Sequence, residues 1–323
     1  MFPDRKDKGF WLRLGGTILA LALCVFLLRD QNWNEIARAF QSIAPWRLVV
    51  VVLLTFASRF AVTMRWHVLL RAAHEMVSFR QSLRLTFAGL FASNFLPTTV
   101  GGDMVRLAGA VQVRMDASVS TASLVADRLV GMAGMLLPLP WGLAGLAQVG
   151  LPALAAPLSK ATPGASGANG TFATAGVAGW IRTVWNKMIA FTRKTLANFG
   201  LWMRHPGALG MSFFFTCVHM FCLFTSIWLL LEGMGETISW IEVAGIWSLV
   251  YFITLMPVSV NGYGLQEISA TLLYVRLGGL SIEASVTIAV LVRTLQMLTS
   301  LPGAFFVGGI LAARQEKPSG VSI

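Results

Sequence analysis

Predominantly apolar stretches recur at residues 14–28, 48–62, 118–139, 209–231, 241–256 and 284–311. Each approaches the roughly 20 residues that carry a helix across a bilayer. Two interruptions break this pattern. In residues 94–106, Asn94, Pro97, Gly101, Gly102, Asp103 and Arg106 stand where an apolar helix would continue. In residues 255–267, Pro257, Ser259, Asn261, Gly262, Gly264 and Glu267 do the same. Backbone that leaves the helix in hydrocarbon needs hydrogen bonds that lipid cannot supply, so it must line protein or a wet cavity. Interrupted helices at matching places in two halves point to a transporter's binding site. The plainer alternative is a pair of Pro-Gly turns just outside the membrane.

The two interruptions belong to an internal repeat. Leu96-Pro97 matches Met256-Pro257 at an offset of 160, and Asp116 through Val119 matches Glu283 through Val286 at an offset of 167. Each following helix carries an arginine, Arg128 and Arg293. The expected fold is an all-α integral membrane protein, a polytopic bundle with two broken or re-entrant helices. Whether the halves are inverted is left open.

The division runs 1–156 (first membrane half), 157–179 (flexible linker), 180–205, 206–314 (second membrane half) and 315–323 (tail). The linker is rich in Ala, Gly, Ser, Thr and Pro. Residues 180–205 place Trp180, Trp185 and Trp202 on one helical face and Arg182, Lys187, Arg193 and Lys194 on the other. That pattern predicts an amphipathic helix lying in the cytoplasmic headgroup region.

Composition supports membrane residence: 56% of residues are hydrophobic and 12% charged, with a mean hydropathy of +0.70. Soluble domains carry about twice that charge. The net charge of +11 fits loops facing anionic lipid, and no nucleic-acid motif accompanies it. The basic cluster Arg5, Lys6, Lys8 and Arg13 precedes a first helix without a cleavage site, which predicts a retained span and a cytoplasmic N-terminus. Arg65, Arg71, Arg80 and Arg84 then read as a second cytoplasmic cluster, and Glu232, Glu236 and Glu242 as an outward loop. Cys24, Cys217 and Cys222 read as small buried hydrophobes. No histidine spacing suggests a metal, and no cofactor or catalytic motif is present.

Charged side chains inside apolar helices are costly and usually face a cavity or a partner. The candidates are Asp103, Arg106, Asp127, Arg128, Glu267 and Arg293, with Asn94, Ser259 and Asn261 as neutral donors and acceptors. Asp127 and Arg128 are neighbours on a helix and point about 100° apart, so each needs its own partner. A structural ion pair between helices is the competing role. Arg59 reads as snorkelling to the interface near Arg65. Gly101, Gly102, Gly262 and Gly264 allow positive φ and close backbone approach.

These motifs resemble the membrane region of lysylphosphatidylglycerol synthases and their stand-alone flippase-like relatives. The first signature is matched by Asn94 (offset by one residue in spacing), Pro97, Gly101, Gly102, Asp103 and Arg106. A Glu-Arg pair corresponds to Asp127-Arg128. The third signature is matched by Pro257, Ser259, Gly262, Gly264 and Glu267, with Asn261 replacing a glycine. Gln266 stands where an arginine is often found, so the same headgroup is not implied. The resemblance implies a flippase-like fold, and with Ile323 twelve residues after Leu311 the family's soluble aminoacyltransferase domain is not expected. The expectation is therefore translocation of an anionic or polyprenyl-type lipid across the cytoplasmic membrane, without enzymatic activity. The alternatives are a membrane transferase acting on a lipid phosphate and a non-catalytic envelope subunit. The expected partners are the lipid substrate and the bilayer, with homo-oligomerisation left open.

Overall fold

Helix starts follow local chemistry. In the computed structural model, which describes residues 41–73, 76–95, 101–149, 205–256 and 262–307, Pro45 opens α1 (Pro45–Ala72), where a missing N–H costs nothing. The chain continues as α2 (Phe79–Phe95), α3 (Gly101–Gln112), α4 (Ala117–Met135) and α5 (Leu139–Val149). The second set is α6 (Pro206–Gly233), α7 (Trp240–Thr254), α8 (Leu265–Leu277) and α9 (Ile282–Ser300), ending in the 3₁₀ turn Leu301–Gly303. Asp116 caps α4 by accepting from the Ser118 and Val119 amides. Ser281 caps α9 and Ser239 opens α7 with a reciprocal Glu242 capping box.

The repeat is visible as a match of helix lengths. Helices α1 to α4 have 28, 17, 12 and 19 residues, and α6 to α9 have 28, 15, 13 and 19. One register differs from the sequence expectation. The cap Asp116 corresponds to the cap Ser281, because Glu283 lies inside the first turn of α9. Pairing the caps also pairs Arg128 with Arg293.

The equivalent helices α1 and α6 pack against each other in opposite directions. Ser42 Oγ donates to the Gly233 carbonyl (3.2 Å), Ser58 Oγ meets His219 Nδ1 (2.7 Å), and Ser212 Oγ donates to the Arg65 carbonyl (3.4 Å). Residue numbers rise along one helix as they fall along the other. The two sets are thus inverted relative to each other. Ser58 and His219 are each the fourteenth residue of their helix, so the pseudo-twofold axis passes beside their hydrogen bond.

Among the described residues, α1, α6 and residues Ile282–Val307 are long and apolar enough to cross a membrane. The pair α4–α5, bent by 48° beside Pro138 and Pro140, makes a fourth candidate span. Together with the all-helical architecture this makes the protein a polytopic helical membrane protein. The interrupted segments behave otherwise. A Cβ on Gly102 would run into Ser93 Oγ and the Gly89 carbonyl, and Gly89 lies against the Arg106 stem. Early α3 therefore lies beside late α2, and α3 turns back along it. Likewise Gly262 lies by Thr254 and Gly278 by Ile246, so α8 returns along α7. The helices flanking each interruption thus form a hairpin, whose 12- to 17-residue arms reach only about 18–26 Å against about 30 Å of hydrocarbon.

Two cores hold the bundle. One gathers Val51, Phe224, Ile227, Trp247, Tyr274 and Ile288, and the other Trp66, Leu70, Leu85, Val105 and Leu124. Backbones cross closely where side chains vanish, as at Gly142 against Gly245. Arg71, Arg80 and Arg114 gather at one end of the bundle. Glu232, Glu236 and Glu242 lie at the other, where Arg47 pairs with Glu232 at 3.3 Å. Arg65 departs from its expected place in the basic loop, because it is buried against Asp127.

Pro97, Pro257, Ser259 and Asn261 lie outside the described residues, as do the first span, the linker at 157–179, the tail and all but the last residue of 180–205. What the described residues add is that α5 and the start of α6 stand at opposite ends of the bundle. Gly145 of α5 lies beside Leu277, whereas Ser212 of α6 reaches Arg65.

Candidate functional site

The described ends of the two hairpins come together beside α9. Asn94, on the last turn of α2, donates through Nδ2 to the Gln296 carbonyl (3.2 Å) and Ser300 Oγ (3.0 Å) on α9. Its carbonyl accepts from the Tyr263 hydroxyl at the other tip. Gly262 and Gly264 adopt φ of 71° and 76°, a left-handed backbone that favours glycine. These two glycines shape the second tip, and Gly264 is the residue that caps α8. Gly101 and Gly102 have ordinary helical φ instead, and Gly102 is needed for close approach.

Between the tips and the α1–α6 crossing lies a cavity of about 480 Å³. Its lining includes Arg59, Asn94, Arg128, His219, Gly262, Gln266 and Arg293, and no carboxylate among the described residues. Arg128 and Arg293, one from each inverted set, thus face one space. Both are held the same way: Arg128 Nε donates to Asp103 Oδ2 (2.6 Å), and Arg293 Nε donates to Glu267 Oε1 (2.6 Å). Arg128 also contacts Asp103 through a second guanidinium nitrogen. Arg293 donates further to the Gly262 carbonyl (3.3 Å) and lies over the Tyr263 ring at 4.7 Å. The equivalence is not complete. The Arg128 side chain is 51% exposed and that of Arg293 10%.

Two of the expected residues sit elsewhere. Asp127 is buried between Arg65 Nε (2.7 Å) and an Arg106 nitrogen (3.2 Å), tying α1, α3 and α4 together. Arg106 stacks over Trp66 at 4.1 Å and lies 3.6 Å from Asp103. Neither Asp127 nor Arg106 lines the cavity; the two are paired with each other and, through Asp127, with Arg65.

Sequence reasoning also misplaced Arg59. The helix around it extends seven residues beyond Arg65, so Arg59 stands near mid-helix, where snorkelling reaches no interface. It lines the cavity, and Thr299 Oγ1 accepts from its Nε at 3.5 Å. His219 and Ser58 line it as well. Their signal is positional, as the central residues of two equivalent helices. Gln266 adds a buried Nε2 without a hydrogen-bond partner among the described residues. Three arginines, the free amide and the adjacent start of α8 together suit an anion. Among the described residues no group of His, Cys, Asp and Glu is placed to hold a metal ion.

The family described as the lysylphosphatidylglycerol synthase TM region matches residues 13–303. The chain belongs to that family. The match covers most of the chain, including both hairpins and every cavity-lining residue named above. A UPF0104 membrane protein of Methanothermobacter thermautotrophicus is 28% identical over 91 residues. That stretch is 28% of this chain and 26% of the relative. The likeness is to another membrane protein, and the family description suggests a membrane lipid-related role.

Proposed function

We propose that the cavity receives the headgroup of an anionic lipid and that the protein moves this lipid between leaflets of the cytoplasmic membrane. The observation that carries this reading is the convergence of Arg128 and Arg293, from two inverted sets, on one cavity whose described lining holds no carboxylate. Inverted sets around a central site are the arrangement by which rocking transporters open to either side. A family description naming a phospholipid synthase's membrane region adds the substrate class. Asp103, Asp127 and Glu267, the groups a transferase would need as acid or base, are each engaged by an arginine. The basic end, with Arg71, Arg80 and Arg114, belongs on the cytoplasmic side in this reading.

The test is reconstitution into liposomes carrying headgroup-accessible fluorescent lipids. Faster loss of inner-leaflet protection from a membrane-impermeant quencher for an anionic lipid than for phosphatidylcholine is the expected result. No protein-dependent exchange of any lipid, across anionic and zwitterionic headgroups, would overturn it.

A further inference from the structure

The ion pairs around the cavity do not balance. Arg65, Asp127, Arg106, Asp103 and Arg128 form one continuous chain of contacts, three arginines against two carboxylates. That chain ends at Arg128, its most exposed member, on the cavity wall. Arg293 and Glu267 neutralise each other. Arg59 has no carboxylate within ion-pair distance among the described residues, and its hydrogen bond to Thr299 is long. Among the described residues five arginines therefore meet three carboxylates, an excess of two cations, and both ends of that excess face the cavity. Residues 96–100 and 257–261 contain no charged residue.

Buried charge without a counterion is expensive, because the surroundings cannot replace its hydration. Entry of a headgroup displaces water from Arg59 and Arg128 together. A monoanion would leave one of them uncompensated in the dried site. We propose that the site is matched to a phosphomonoester headgroup, which carries close to two negative charges above its second ionisation near pH 6, over a singly charged phosphodiester. Its three terminal oxygens offer acceptors to Arg59, Arg128 and the unpaired Gln266 amide. This rests on reading the cavity as a headgroup site.

The experiment measures binding to purified protein in neutral nanodiscs at pH 8. The probes are phosphatidic acid, phosphatidylglycerol and soluble glycerol 3-phosphate. Phosphatidic acid is expected to bind about tenfold or more tightly than phosphatidylglycerol, the scale of one extra charge-assisted hydrogen bond. Glycerol 3-phosphate is expected to bind more weakly than phosphatidic acid. Arg59→Gln should abolish the difference between the two lipids while the unliganded variant melts no lower than wild type, since an uncompensated cation has been removed. Equal affinity for the two lipids, or a preference that survives Arg59→Gln, would overturn the proposal. So would a lower melting point for unliganded Arg59→Gln, which would make Arg59 a structural group. Glycerol 3-phosphate binding as tightly as phosphatidic acid would reassign the site to a free phosphate ester. If phosphatidylglycerol crosses between leaflets without any monoester preference, this inference falls and the transport reading stands. If the preference is found without leaflet exchange, the monoester site stands and the transport reading falls.

Discussion

Asp127→Asn is expected to destabilise the protein by about 3–5 kcal/mol, the cost of removing one partner from a buried ion pair. Asp127 is the carboxylate shared by Arg65 and Arg106, and all three side chains are nearly excluded from solvent. Asparagine keeps the shape and loses the charge, so two guanidinium groups would face each other uncompensated. Trp66, already stacked on Arg106, cannot replace that charge. Because the triad joins α1, α3 and α4, the loss should show as a lower melting temperature in detergent and poor recovery of folded protein. An unchanged melting temperature would mean that the triad is hydrated and does not hold these helices.

Arg128→Ala and Arg293→Ala are expected to separate, although the two arginines are equivalent by repeat. Arg128 is half-exposed to the cavity, and Asp103 keeps Arg106 nearby after its removal. Solvent screening makes such a pair weak, on the order of 1 kcal/mol or less. Arg128→Ala should therefore fold normally and lose lipid exchange by about tenfold or more, as expected for one charge-assisted contact. Arg293→Ala should lose both. It would leave Glu267 buried, and Glu267 Oε2 already lacks a hydrogen-bond partner among the described residues. It would also free the Gly262 carbonyl that helps fix the second tip. About 3–5 kcal/mol of stability should go with it. Lysine should fail at position 293, because Nε and a terminal nitrogen serve two different acceptors in a planar fork that lysine lacks. Melting curves measured beside lipid exchange check all three variants. Arg128→Ala that unfolds, or that transports normally, would remove Arg128 from the headgroup site.

Much of this arrangement was legible in the sequence because its signals are local. Pro-Gly interruptions between apolar runs mark a broken helix wherever they occur, and Arg128 and Arg293 stand out in apolar surroundings. Gly262 and Gly264 announced a left-handed backbone. The less legible features depend on direction or on distant partners. Inversion rests on α1 and α6 running antiparallel, which no residue spacing encodes. The sequence match of Asp116 with Glu283 put an acidic cap beside an acidic first-turn residue, and only the backbone tells Ser281 from Glu283 as the cap. Arg65 read as a loop cation because the apolar run before it ends early, yet Asp127, 62 positions away, holds it inside. Arg59 was misread for the same reason, since its depth follows from how far α1 continues beyond it.

The most direct measurement is an experimental structure of the protein in a nanodisc containing an anionic phospholipid. The expected result is headgroup density between Arg128 and Arg293, beneath two hairpin tips that meet at Asn94 and Tyr263. A cavity without headgroup density in the presence of that lipid, or hairpin tips at opposite membrane surfaces, would contradict it.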